Sequence, residues 1–95
     1  MSNILNNLGL CFKAGKLIHG SDSVIEGIKA SKVKYVFLAS DASINTKKRI
    51  KDKANFYSVE VSEEFTSDEL SKAIGKNGRM VIGIIDAGFL KILKK

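Results

Sequence analysis

Two unbroken apolar runs limit what this chain can fold into. Tyr35-Val36-Phe37-Leu38-Ala39 and Met80-Val81-Ile82-Gly83-Ile84-Ile85 carry no charged side chain, and the Tyr35 hydroxyl is their one polar group. A strand with one wet face alternates apolar and polar residues, so continuous runs of this length read as strands covered on both faces. The remaining segments supply the covering helices. Ile4, Leu5, Leu8 and Phe12 recur at near-helical spacing over residues 3 to 14, with Gly15 as a stop. After the short extended piece Leu17-Ile18-His19, the turn Gly20-Ser21-Asp22-Ser23 is rich in capping residues. Ser23 with Glu26 fits a capping box ahead of Val24, Ile25 and Ile28, predicting a second helix. Residues 43 to 54 predict a basic third helix with a narrow apolar stripe of Ile44, Ile50 and Ala54. Tyr57, Val59 and Val61 alternate as a short strand, and Thr66 with Glu69 makes a capping box before Leu70, Ala73 and Ile74. Asp86 is placed to cap a last helix that turns Phe89, Leu90 and Leu93 inward.

Strand and helix alternate throughout, and repeated strand-helix-strand units favour parallel pairing. The expected fold is therefore α/β, a three-layer α/β/α sandwich around a central mixed, mainly parallel sheet of about four strands. With 95 residues and 44% apolar content the chain can fill one core, so residues 1–95 are expected to form a single domain.

Sixteen Lys and Arg against ten Asp and Glu leave a formal charge of +6, which favours a polyanionic partner, nucleic acid first. No apolar stretch approaches the ~20 residues of a membrane helix, and Met1-Ser2-Asn3-Ile4 lacks the basic start of a signal peptide. A cytoplasmic protein without membrane contact is expected. Cys11 is the single cysteine, so an internal disulfide is impossible and a metal site would lack a second thiolate; no metal and no cofactor are expected.

The most informative site is the turn at Gly20. The first N–H groups of a helix have no intrahelical acceptor and its dipole leaves partial positive charge there, so anionic oxygens are attracted. Lys13 and Lys16 lie just upstream and Lys29 and Lys32 downstream, able to flank this helix end with positive charge. The bland alternative is an ordinary capped helix with solvated lysines, since capping residues are common.

Taken together, the residues resemble the kink-turn-binding ribosomal protein family L-seven-Ae, in particular its small bacterial YlxQ- and YbxF-type members. The resemblance rests on Leu8-Gly9-Leu10, Lys13-Ala14-Gly15-Lys16 and Gly20. It continues through Val36-Phe37-Leu38-Ala39-Ser40-Asp41-Ala42-Ser43 with Asn45-Thr46, and Leu70-Ser71-Lys72-Ala73-Ile74-Gly75-Lys76. It implies an α/β/α sandwich that places the start of its second helix against tandem G·A pairs of a sharply bent RNA. RNA is read where a bend or bulge opens its deep groove, which suits a helix end. On that basis Gly20, Ser21, Asp22 and Ser23 would sit at the RNA with Lys16 on phosphate, and Ile74, Gly75 and Lys76 would line the loop at an extruded nucleotide. The better-known members of that family open this helix with Gly-Thr-Asn-Glu and a lysine three residues on, where this chain has Glu26. The implied partners are structured RNA, ribosomal or another kink-turn RNA, and the ribosome itself; a monomer without catalytic residues is expected.

Three other features compete. Lys47, Lys48, Arg49, Lys51 and Lys53 form a dense run that either tracks phosphates or is simply solvated. His19 beside Gly20 reads as structural more readily than as an RNA donor, and Cys11 as a core residue. Asp41 and Asp86 end successive strands, and carboxylates paired at one sheet edge would suit a small receiver-like enzyme. No phosphate loop, dinucleotide turn or nucleophile elbow accompanies them, so helix capping accounts for both. A protein-interaction module associated with the ribosome or with RNA-processing factors is the remaining alternative, its basic charge meeting an acidic surface.

Overall fold

The computed structural model describes residues 3–93; Met1, Ser2, Lys94 and Lys95, which the sequence reading counts in the one domain, lie outside them. The elements follow the order α1 (Asn3–Lys13), β1 (Leu17–His19), α2 (Ser21–Lys29), β2 (Tyr35–Leu38), α3 (Ile44–Phe56), β3 (Glu60–Ser62), α4 (Ser67–Ala73), β4 (Val81–Ile84) and α5 (Ala87–Leu93). The strands form one mixed sheet in the order β1-β4-β2-β3.

Its two faces are covered by different helices. Gly83 in β4 faces Val24 and Val33, and Ile18 in β1 reaches Gly27, so α2 lies on this side with α3 packed against it. On the other side, where His19, Phe37, Ile82 and Ile84 share a face by register, α1 packs with α4 and α5. Phe12 of α1 meets His19 there at 5.7 Å between ring centroids, and Phe65 meets Phe37 at 6.1 Å. The three-layer α/β/α expectation and the four-strand mixed sheet are therefore met.

The expectation of mainly parallel pairing is corrected. β1 and β2 each pair antiparallel with β4, and only β2 with β3 is parallel. Alternation of strand and helix does set β1, β2 and β3 in one direction; β4 enters between β1 and β2 the other way. The cause is local. After α4 the chain doubles back through a turn at Gly75, and the buried hydroxyl of Ser71 accepts from the Arg79 N–H at 2.7 Å and donates to the Arg79 carbonyl at 3.3 Å. The loop is thereby returned to the end of the sheet from which α4 departed, and β4 must start there.

The first four helices, α1 to α4, end in the same pair of hydrogen bonds. After α1, Gly15 N–H bonds Phe12 O and Lys16 N–H bonds Cys11 O; after α4, Gly75 bonds Lys72 and Lys76 bonds Ser71. The same pair of bonds closes α2 at Ser31 and Lys32, and α3 at Ser58 and Val59. These are Schellman turns, whose first residue outside the helix takes a left-handed conformation. Gly15 and Gly75 do so at φ 70° and 69°, and Ser31 and Ser58 at 60° and 59°.

Two further expectations change. The capping box of Ser23 and Glu26 does not form, because α2 begins at Ser21 with Gly20 as its cap, three residues earlier than that box requires. Ile44 is 83% exposed instead of buried. It precedes Ile50 by six residues, and at about 100° per residue this points it well away from the stripe that Ile50 and Ala54 bury. The capping box of Thr66 and Glu69 forms, and Asp86 accepts from the Phe89 N–H at 2.9 Å.

Candidate nucleic-acid interface

The C-terminal ends of β1, β2 and β3 lie at one end of the sheet, and the start of β4 joins them. Gly20, at φ 93°, leaves β1 at this end and donates its N–H to the Val81 carbonyl at 2.9 Å. That bond fixes where α2 begins. No side chain caps the helix, and its first intrahelical bond is from the Val24 N–H to the Gly20 carbonyl. The main-chain N–H groups of Ser21, Asp22 and Ser23 are thus directed out of the helix with the positive end of its dipole.

The loop that delivers β4 forms a second wall. Ile74 is only 4% exposed and anchors the loop in the core, so its side chain is turned inward, while Gly75, Lys76, Asn77 and Gly78 are exposed. The Lys76 ammonium lies 5.4 Å above the centre of the Phe12 ring. Phe12 in turn touches His19, the residue before Gly20. Burial, then the charges of Arg79 and Lys76, hold His19 below its ordinary 6.5, so the imidazole is kept neutral beside these cations. His19 Nδ1 and Arg79 Nε are buried without a partner among the described residues. Lys13 borders a hollow shared with Gly9, Ile74 and Gly75.

The expected residues therefore divide. Gly20, Ser21, Asp22 and Ser23 form one surface, and Lys13, Gly75 and Lys76 a neighbouring one, joined through Phe12 and His19. Lys16 sits at the start of β1, and four residues of strand put it about 13 Å from Gly20. Its carbonyl accepts from Ile85 at the opposite end of the sheet. Lys29 lies at the far end of α2, about 12 Å along the helix from Ser21, paired with Glu26 at 3.5 Å. The flanking role given to Lys16 and Lys29 beside the helix start is corrected on these distances.

Two cations were not assigned to this site from sequence. Arg79 enters it because β4 pairs antiparallel with β1, which period and spacing do not reveal. Arg49 belongs to the basic run of α3 and reaches across to Asp22 at 3.0 Å. The carboxylate at the start of α2 is thereby balanced by a guanidinium from the next helix, an exposed pair that orients more than it stabilises. Lys47 and Lys51 turn instead to Glu63, whose carboxyl their bonds and charges hold below its ordinary value, Lys51 contributing most.

Asp41 and Asp86 are not neighbours. Antiparallel pairing of β2 with β4 sends the ends of these strands to opposite ends of the sheet. Asp41 accepts from the Ser67 N–H at 2.7 Å and the Ser67 hydroxyl at 2.8 Å, so it fastens the start of α4; the cap of α3 is Ser43. Cys11 is fully buried, and burial first, then Asp86, push its thiol up to about 11 against the opposing pull of Lys16. A thiol so protonated is inert. Among the described residues no group of three or more His, Cys, Asp or Glu side chains is placed to hold a metal ion, and no helix is long and apolar enough to cross a membrane.

Residues 2–94 match the ribosomal protein L7Ae/L30e/S12e/Gadd45 family. Over 91 residues the chain is 47% identical to the RNA-binding protein YlxQ of Enterococcus faecium, covering 96% of this chain and 87% of that protein. Over 82 residues it is 40% identical to the RNA-binding protein YlxQ of Bacillus subtilis (strain 168), covering 86% and 82%. A solved structure of a protein with unknown function from Bacillus halodurans superposes with a TM-score of 0.93 at 38% identity, over 99% of this chain and 95% of that one. A 15.5 kD RNA-binding protein of Giardia lamblia shares the fold, with a TM-score of 0.84 at 15% identity over 96% of this chain and 78% of that one.

Proposed function

Because the chain belongs to the ribosomal protein L7Ae/L30e/S12e/Gadd45 family, we propose that it is an RNA-binding protein of ribosomal type that reads a bent RNA, a kink-turn or a related motif, at the start of α2. The observation that carries this reading is the uncapped first turn of α2, open beside a loop bearing Lys76 and Arg79. Main-chain N–H groups there meet phosphate oxygens or base acceptors, and the loop closes on the nucleotide that the bend throws out. Lys13 and Lys76 supply phosphate contacts, which position the RNA; Ser21, Asp22 and Ser23 face the bases, which specify it. Asp22, balanced by Arg49, accepts from a base amino group with less repulsion of the backbone.

The protein works in this reading as a cytoplasmic monomer without catalysis, on ribosomal RNA or another RNA containing such a bend. The binding names of its YlxQ relatives support an RNA partner. The receiver-like alternative loses its motivating geometry, since Asp41 fastens the start of α4 and Asp86 caps α5, at opposite ends of the sheet.

The test is a titration of the full chain with a kink-turn RNA and with a straight duplex of the same composition over a range of salt. The bent RNA is expected to bind more tightly, with a slope corresponding to about three to six neutralised phosphates. Lys76→Ala with Arg79→Ala should weaken binding by about tenfold or more, and Glu26→Lys should tighten it. Equal affinity for both RNAs would remove bend recognition. A slope near zero would remove RNA altogether and favour a protein partner.

A further inference from the structure

Four of the five cations in the basic run of α3, all but Lys48, fall into two sets. Lys47 and Lys51 are spent on Glu63, on the side of the helix toward β3. Arg49 and Lys53 face elsewhere, and Phe56 follows them on the same side. Steps of four and three residues keep these three within about 60° of one another around the helix, over a rise of about 10 Å. Asn45 lies on this stripe one turn before Arg49, and Asp52 borders it. The stripe starts at the proposed RNA site, because Arg49 is the residue that holds Asp22 in the first turn of α2. It leads away from that site: Ile28 in the last turn of α2, and Ser31 and Lys34 beyond it, share a hollow with Tyr57, Ser58 and Val59 beyond α3, so the two helices run side by side in one direction.

The stripe ends on an uncovered aromatic pair. Phe56 is 78% exposed and Tyr57 38%, with ring centroids 4.9 Å apart and 73° between the planes. An edge-to-face pair covers at most one face of a ring, so the other face of Phe56 is open to water. Cations in a row ending at an open ring face are the two components of single-strand recognition: charge follows the phosphates, and a ring accepts a base. An acidic peptide would need only the charges, and an apolar one only the ring.

We propose that Arg49, Lys53 and Phe56 form a second RNA-contact surface that takes an unpaired strand leaving the bent site at the start of α2. Arg49 and Lys53 meet phosphates of this strand while Phe56 stacks on one of its bases, with Lys34 and Tyr57 beyond it. This extends the RNA reading given above and rests on it for the position of the bend.

The experiment titrates the full chain with two RNAs that share one bend, the first blunt and the second carrying about five unpaired nucleotides on one stem, within the site size of a small single-strand groove. The tail is expected to tighten binding by about tenfold. Phe56→Ala and Lys53→Ala should each abolish most of that gain while leaving affinity for the blunt RNA unchanged, and Phe56→Trp should retain it. No gain from the tail, or a gain that survives Phe56→Ala, overturns the proposal. Displacement of the tail by an acidic peptide, with sensitivity to Lys53→Ala but not to Phe56→Ala, overturns it in favour of a protein partner. Failure of the blunt RNA to bind, with a tail effect still dependent on Phe56, overturns the bend at α2 and upholds the stripe.

Discussion

The helices on the two faces of the sheet end with the same hydrogen bonds but on different residues. On one face α1 and α4 close at Gly15 and Gly75; on the other α2 and α3 close at Ser31 and Ser58, in the same left-handed conformation. A residue with a Cβ pays for that conformation, by about 1–2 kcal/mol, so the α2/α3 face holds backbone strain that the α1/α4 face avoids. The two serines line one hollow, at the far end of the cationic stripe of α3. The difference teaches that the pair of main-chain bonds is enough to turn the chain, leaving the residue at the turn free to answer to the surface it faces.

The contrast is most open to attack through the helical glycines. A Cβ on Gly9 would lie 2.8 Å from the Ala73 carbonyl oxygen, main chain that cannot step aside unless α1 parts from α4. One on Gly27 would meet the side-chain ends of Ile18 and Val33 at 2.6 and 2.8 Å, which can rotate. Gly9→Ala is therefore expected to destabilise by about 2 kcal/mol in urea unfolding, and Gly27→Ala by about half of that. Equal losses would mean that α2 sits on the sheet as rigidly as α1 sits on α4.

Substitution at the turns should give opposite signs on the two faces. Gly75→Ala should lose about 1 kcal/mol and Ser58→Gly should gain about 0.5–1 kcal/mol. Ser58→Gly leaving the thermal midpoint unchanged would mean that its hydroxyl offsets the strain through a contact of its own.

A third probe concerns Asp41, which ties the segment between β2 and α3 to the start of α4 and so links the two faces. The two Ser67 bonds, main chain first, hold its carboxyl below the ordinary 3.8. A depressed carboxylate contributes stability that is complete above its unfolded pKa and is lost as the pH falls through the folded one. Wild type should therefore melt above Asp41→Asn near neutrality, and the difference should close as the pH falls below about 4. A gap that stays constant into acid would assign the effect to packing. The smallest change is expected from Arg49→Ala: its exposed pair with Asp22 should be worth at most about 0.5 kcal/mol to folding, so any larger effect on RNA affinity separates binding from stability.

Much of this fold is legible in sequence because burial leaves a period. The runs at Tyr35 and Met80, the amphipathic first helix, and the Thr66 and Asp86 caps all stand where their residue types place them. What escapes is set by contacts far apart in the chain. Nothing local reveals that the buried Ser71 hydroxyl turns the loop back and reverses β4, and without that reversal Arg79 cannot be assigned to Gly20's end of the sheet. The serine turns are similarly silent, since no glycine marks them, whereas Gly15 announces the end of α1. At the site, the turn at Gly20 before the second helix is legible, but the Ser23 box displaces the expected helix start, and the lack of a side-chain cap appears only in the structure. The lysines at 16 and 29 were judged by nearness in sequence, and strand and helix rise carry both away.

The reversal of β4 also orders events during folding. The first two strands never pair with each other; each pairs with the strand that arrives last, which stands between them. A nascent chain emerging as far as α4 can form helices and the β2–β3 pair, but β1 has no neighbour until residues 81–84 appear. Sheet closure therefore waits on contacts between distant segments, the slow kind, and a chain stalled before that point would leave its first strand uncovered for other polypeptides to meet.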